Sequence, residues 1–307
     1  MATRRFAWVL NLDADLELGA PPGYAPRRTI KEALAVHVPA LARSLLGPDD
    51  LLVDETTAPM GARGLVGRAF CPTPRALAVL RRAGAEPEPA PPVAVLRRVN
   101  SRAFASALGP TLPGAAFVTT LEEAEALLAS SPPVGHGWRV KRAFGMSGHN
   151  QRVVAARVSD ADRAFVRGGL AQGGAQIEPN VSIVREYGLH GLLAADGTCR
   201  LGRVVRQRCD ARGAWLSTEL LALPAKGGGE ATSSETLDAA EATLAAALGA
   251  EATRVAGALA AAGYFGPFGV DVYAYLARDG SLAIQPRSEI NARYSMGFAI
   301  GLPSGLR

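Results

Sequence analysis

The chain has 307 residues, 48% of them hydrophobic, enough for a sizeable core or for two or three small ones. This composition excludes a fibrous or globally disordered protein. Its 33 basic and 28 acidic residues leave a formal charge of +5, dispersed in short pairs such as RRF, RRAG and RRVNSR. That dispersal argues against a dedicated nucleic-acid binder, which concentrates charge on one face or element.

Only three basic residues are lysines, Lys31, Lys141 and Lys226, so a lysine at a particular place carries more information than an arginine. Cys71, Cys199 and Cys209 are widely spaced with no CxxC, and neither a disulfide framework nor a zinc cluster is expected. Cys199 and Cys209 could face each other across neighbouring strands. The most apolar stretch, Val255 to Phe268, is short and broken by Gly257, Gly263, Gly266 and Pro267, so no membrane span is expected. The N-terminus turns acidic before an apolar run develops, unlike a signal peptide, and a reducing cytoplasm is the expected compartment.

Residues 6–12, FAWVLNL, read as a buried strand followed by a Gly/Pro-rich loop. Thr29 stands as the cap of one helix from Ile30, with Leu34, Val38, Leu41, Leu45 and Leu46 at helical spacing, ended by Gly47-Pro48. Leu51–Val53 is a short strand, and a helix around Leu77 and Leu80 stops at Gly84. This order suggests a small parallel α/β unit over 1–92. EPEPAPP at 86–92 can form neither a helix nor a central strand.

A helix is expected over Ser101–Leu108 and a strand over 116–118. Thr120 followed by Glu123 is a capping box. Trp138–Arg142 and Gln151–Ala155 read as a hairpin around a glycine-bearing turn. Ser159–Leu170 is helical; 175–179 and 181–187 are extended. Gly191–Ala195 and Arg200–Gln207 form a hairpin on Asp196-Gly197. KGGGEATSS at 226–234 reads as a flexible loop. An alanine-rich helix covers about 235–262, with a break expected at Gly249. Two strands follow, GVDVYAYL and LAIQP.

Three segments carry chemistry. In KRAFGMSGHNQRVV, Lys141 ends a strand and Gly145 and Gly148 lie in the turn. Glycines let backbone amides approach phosphate oxygens, lysine adds a mobile charge, and Ser147 adds a donor. The loop is neither a Walker A motif nor a dinucleotide fingerprint. In IEPNVSIVREYGLHGLL, Pro179 after Glu178 frees the chain from regular pairing, so that backbone groups can meet an adenine edge. Glu186 there can accept from ribose hydroxyls or pair with an arginine. In GVDVYAYLARDGSLAIQPRSEINARYSMG, Glu289 and Asn291 share one face, which Asp271 can approach from an antiparallel neighbour. These are hard oxygen donors for magnesium. Arg293 can reach a transferring phosphoryl group.

In this order the segments resemble the ATP-grasp superfamily of carboxylate–amine and carboxylate–thiol ligases. WRVKRAFGMSG resembles its lysine strand and phosphate flap, IEPNVSIVREY its adenine hinge, and GVD with EIN its metal-holding strand pair. The resemblance implies an α/β and α+β architecture: a pre-ATP-grasp-like α/β domain over 1–92, then an ATP-grasp domain over 93–307 with an inserted lid at about 112–180. It implies binding of ATP with Mg2+ or Mn2+. Arg102, Lys141, Gly145, Met146, Ser147, Gly148, Glu178, Val181 and Glu186 would contact nucleotide, and Asp271, Glu289 and Asn291 the metal. Lys141 and Arg293 would serve catalysis. Arg102 stands where the family commonly has lysine.

The implied activity is ADP-forming activation of a carboxylate as an acylphosphate, captured by an amine or other nucleophile. An amino acid or small peptide would be a suitable substrate, and a homodimer a suitable assembly. Partners would be small molecules, neither nucleic acid nor membrane. The same residues would also serve a small-molecule kinase or an inactive nucleotide-binding or partner-binding protein. Asp13, Asp15 and Glu17 either line the second-substrate opening or are solvated loop charges. One of Arg203, Arg206 and Arg208 is expected to hold a carboxylate or phosphate. His149 and His190 are ambiguous between surface, packing and site.

Overall fold

A computed structural model describes residues 4–110, 112–146, 148, 150–155, 157–210, 215–221 and 233–302. The chain runs β1 (Phe6–Val9), α1 (Ala14–Gly19), α2 (Arg28–Ala35), α3 (Val38–Leu45), β2 (Leu51–Leu52), β3 (Val66–Ala69), α4 (Pro74–Arg82) and β4 (Glu86–Pro87). There follow α5 (Val93–Asn100), α6 (Arg102–Ala107), β5 (Ala116–Val118), α7 (Leu121–Ala129), β6 (Trp138–Arg142), β7 (Gln151–Val154), α8 (Asp160–Leu170) and β8 (Ala175–Pro179). The remainder is β9 (Ser182–Leu193), β10 (Cys199–Leu201), β11 (Val205–Cys209), β12 (Trp215–Leu220), α9 (Ser233–Ala261), β13 (Gly266–Leu276), β14 (Leu282–Asn291) and α10 (Phe298–Gly301).

The described residues form three sheets. The first is parallel, in the order β2-β1-β3-β4. Its Pro-bearing β4 lies at the edge, where a missing N–H costs no ladder bond. The second is antiparallel, β5-β8-β6-β7, and carries the predicted hairpin. The third is antiparallel, β12-β11-β9-β13-β14, with β10 added on β9.

The third sheet positions the site through strand alternation. Val270 and Val272 of β13 and Ile290 of β14 point into the main core, where Leu248, Val255 and Leu259 of α9 and Leu96 and Val99 of α5 cover them. The residues between, Asp271, Glu289 and Asn291, therefore face the other way, into a cleft. A separate core of Val118, Trp138, Val140, Val166 and Ile177 holds the second sheet against α7 and α8.

Both capping-box bonds form at Thr120 and Glu123, and a second box forms at Ser159 and Asp162. Several boundaries differ from the sequence reading. The expected single helix from Ile30 is two, α2 and α3, and Arg27 rather than Thr29 precedes the first. Pro39 sits in the first turn of α3, the place its missing N–H is tolerated. Of the elements unread in the sequence, α1, β3 and α5 are short or carry arginines within an apolar pattern, and β12 and α10 were unread as well. β9 is one 12-residue strand, so the segment after Asp196-Gly197 splits into β10 and β11. Cys199 and Cys209 thus sit on different partners of β9 and do not face each other.

Helix α9 continues through Gly249. Its residues Leu244–Ala261 are long and apolar enough, by composition alone, to cross a membrane. Here Leu244, Leu248, Ala252, Val255 and Leu259 supply core. Of the loop expected at 226–234, residues 226–232 lie outside the described residues.

Candidate functional site

One cleft collects most of the predicted residues. Arg102, Lys141, Met146, Gly148, Glu178, Val181, Glu186, Asp271, Glu289, Asn291 and Arg293 all line it. Gly145 is not among its walls, and Ser147 and His149 lie outside the described residues.

Antiparallel pairing sets Asp271 directly opposite Glu289 and Gly269 opposite Asn291. Asn291 Nδ2 donates to Asp271 Oδ2 at 2.7 Å, and Gln207 Nε2 donates to Asp271 Oδ1 at 3.0 Å. Burial and then the neighbouring Glu289 carboxylate raise the Asp271 pKa to about 6, against the two amide donors. Asn100 fixes the segment after Asn291: its Oδ1 accepts from Ala292 N–H at 2.9 Å and its Nδ2 donates to the Ala292 carbonyl at 3.3 Å.

Three of the cations at the site have acidic partners. Lys141 Nζ lies 2.6 Å from Glu178 Oε1, with the Glu178 side chain 3% exposed. Arg102 Nη2 lies 2.5 Å from Glu289 Oε1, and its Nη1 donates to the Arg142 carbonyl at 2.8 Å, joining α6 to the end of β6. Arg293 places Nη2 2.6 Å and Nε 3.2 Å from the two Asp15 oxygens, and Nη1 donates to the Tyr294 carbonyl. Burial works against its charge, but Asp15 outweighs this and holds the pKa above the ordinary arginine value.

The turn after β6 is held by Asn150, in the left-handed region at φ 60°, whose Nδ2 donates to the Phe144 carbonyl at 3.2 Å. Gly148 is also left-handed, at φ 76°. The hinge differs from expectation. Pro179 still pairs with Trp138, and the Asn180 backbone bonds both Gly137 and His136. The chain is therefore not freed at Pro179; only Asn180 and Val181 lie between β8 and β9.

Asp13, Asp15 and Glu17 are neither solvated nor on the cleft wall: all three are buried. Arg75 binds Asp13 at 2.5 Å, Thr73 donates to Glu17 at 2.7 Å, and Asp15 holds Arg293. Of Arg203, Arg206 and Arg208, none lines the cleft. Strand parity gives that place to Gln207, which the sequence reading missed beside more conspicuous arginines. Arg139, also missed, lines the cleft and donates to Asn180 Oδ1 at 2.8 Å. Cys209 reaches the cleft too; burial and then Glu186 raise its pKa and keep it a thiol. His190 is fully buried against Gly269, Gly297 and Gly301, and burial lowers its pKa to about 4.

Among the described residues no three His, Cys, Asp or Glu side chains form a metal cluster. The candidate here is two carboxylates and one amide.

No protein-family model matches the chain, and no curated protein matches it in sequence. Solved structures do. A Campylobacter jejuni biotin carboxylase, in complex with β,γ-ATP, matches 97% of this chain and 72% of its own at 14% identity, with a TM-score of 0.51. A Rhizobium etli pyruvate carboxylase variant, with the allosteric activator acetyl coenzyme A, matches 96% of this chain and 24% of its own at 17% identity, with a TM-score of 0.51. A three-sheet α/β architecture shared with such enzymes over nearly its whole length gives this chain the ATP-grasp fold.

Proposed function

We propose that this protein is an ADP-forming ligase that activates a carboxylate as an acylphosphate and passes it to an amine or another nucleophile. The observation that carries this reading is one cleft in which Lys141, Arg102 and Arg293 meet Asp271, Glu289 and Asn291. The ATP-grasp fold and the ATP complex of the biotin carboxylase support nucleotide use.

The donor set fits Mg2+ or Mn2+: two carboxylates and an amide share a face, and burial with mutual repulsion leaves Asp271 half-ready to protonate without a cation. Asp271, Glu289 and Asn291 would hold the metal, which supplies charge neutralisation on the phosphates when bound. Lys141 and Arg102 line the same cleft and would meet phosphate oxygens, and Val181 and Tyr273 would offer adenine an apolar wall. A carboxylate oxygen of the substrate attacks the γ-phosphorus. The bond from that phosphorus to the β–γ bridging oxygen breaks, and ADP leaves with the electron pair. The nucleophile then adds to the acyl carbon, loses its proton and expels phosphate. Alignment and charge neutralisation suffice for the first step. The second sheet, carrying Lys141 and the Gly148 turn, would act as the lid that keeps water from the acylphosphate.

The test is product analysis: ADP and phosphate should appear together, and only when acid and nucleophile are both supplied. ADP without phosphate would identify a kinase instead. The Arg102–Glu289 pair favours one other reading, a nucleotide-binding protein without turnover, because it places a cation on a candidate metal ligand. Tight ATP binding with no turnover across a broad acid–amine panel would select it.

A further inference from the structure

Beyond the acidic centre the cleft continues to a second end. Leu12 after β1, Leu34 of α2, His37 in the following turn, Phe70 after β3, Trp215 of β12 and Met296 after β14 line it. Among these described residues none is Asp, Glu, Lys or Arg. Arg293 borders them with its guanidinium already bound to Asp15. Trp215 offers its apolar ring, because its Nε1 donates to Thr218 Oγ1 at 2.7 Å, and the ring meets His37 edge-on at 5.9 Å.

On the cleft wall near this end, one buried side-chain oxygen lacks a partner among the described residues. Ser295 is 8% exposed and lines the cleft, yet its Oγ makes no hydrogen bond among the described residues. A buried hydroxyl is costly unless something bonds it, so an oxygen of a ligand is the natural complement. It stands four residues after Asn291, at the junction of the acidic centre and the apolar end.

We propose that this end binds the acid substrate, and that the substrate is a monocarboxylate with an apolar aromatic or branched body. Its carboxylate accepts from Ser295 Oγ beside the phosphate site, and its body rests on Leu34, Phe70, Trp215 and Met296. Dicarboxylates and sugar acids are disfavoured, because the apolar wall would strip water from their extra polar groups and return no bond. This deepens the ligase reading and rests on it for the word substrate, but the binding itself does not.

Calorimetry on the full chain separates the two. The probes are 3-phenylpropionate, 4-methylvalerate, succinate and glucuronate, each titrated without nucleotide and with saturating Mg-ADP. The two apolar acids should bind about tenfold more tightly than the other two, the scale on which one apolar contact discriminates. Ser295→Ala and Leu34→Gln should each weaken 3-phenylpropionate about tenfold while Mg-ADP affinity stays unchanged. Binding of succinate or glucuronate as tight as that of the apolar acids overturns the proposal. So does an absence of binding by all four, or unaltered affinity in both variants. Apolar-acid binding with no ATP turnover would instead uphold this site and remove the ligase reading.

Discussion

Arg102 Nη2 rests 2.5 Å from Glu289 Oε1, so an arginine from α6 caps a candidate metal ligand at the end of β14. Metal and guanidinium compete for one carboxylate. Replacing Arg102 with alanine should therefore raise Mn2+ affinity in the absence of nucleotide by about tenfold, ~1.4 kcal/mol. The same variant should bind Mg-ATP more weakly, having lost a phosphate contact. Paired Mn2+ and nucleotide titrations read both effects. Weaker Mn2+ binding in the variant would show that Arg102 does not compete.

Asp271 makes the nucleotide-free protein sensitive to pH. Its folded pKa is raised from 3.8 to about 6 by burial and by Glu289, with Gln207, Asn291 and Arg293 opposing. Between those values the folded state binds more protons than the unfolded one. The contribution is thus fully present below the unfolded pKa and is lost as pH rises through the folded pKa, a change of order 3 kcal/mol. Asp271→Asn should flatten this part of the profile, be more stable than the parent at pH 7, and lose the stabilisation that Mg2+ gives the parent. Urea melts between pH 4 and 7, with and without Mg2+, measure each.

Lys141 and Glu178 form a pair with 13% and 3% side-chain exposure. Lys141→Ala strands a buried carboxylate and should cost about 3 kcal/mol of stability. Lys141→Met with Glu178→Gln should recover most of that loss. Nucleotide affinity should remain low in both, because the phosphate cation is gone. Denaturation and nucleotide binding measured side by side distinguish these effects, and a double variant with parental ATP affinity would remove Lys141 from the site.

Gly135 holds the segment between β8 and β9 by its absence of a side chain. It sits at φ 68°, and a Cβ there would overlap the Asn180 carbonyl oxygen. Gly135→Ala should cost about 2 kcal/mol or more, from left-handed strain plus that clash. It should also weaken nucleotide binding through displacement of Val181. Thermal melts and ATP titration check both; a neutral substitution would show that this backbone is compliant.

The parts of the site that depend on local parity and turn chemistry were legible in the residues alone. Lys141 at a strand end before Gly145 and Gly148, the box at Thr120, and the shared face of Glu289 and Asn291 follow from two-residue alternation and nearby donors. The placement of Asp271 opposite Glu289 needed only the further premise that the two strands pair. The break between α2 and α3 and the Arg-bearing α5 were hidden, because their apolar patterns merge with those of their neighbours.

What the chain by itself determined was therefore a set of short units and the faces they present. Tertiary structure decided the partners. Asp15 meets Arg293 across 278 positions, Arg102 meets Glu289 across 187, and Gln207 rather than a flanking arginine reaches Asp271. No local spacing encodes such pairs. They form because α9 and α5 bury one face of the third sheet, which turns the polar face of β13 and β14 toward α1, α6 and β6 and leaves each buried charge to find its counter-ion there.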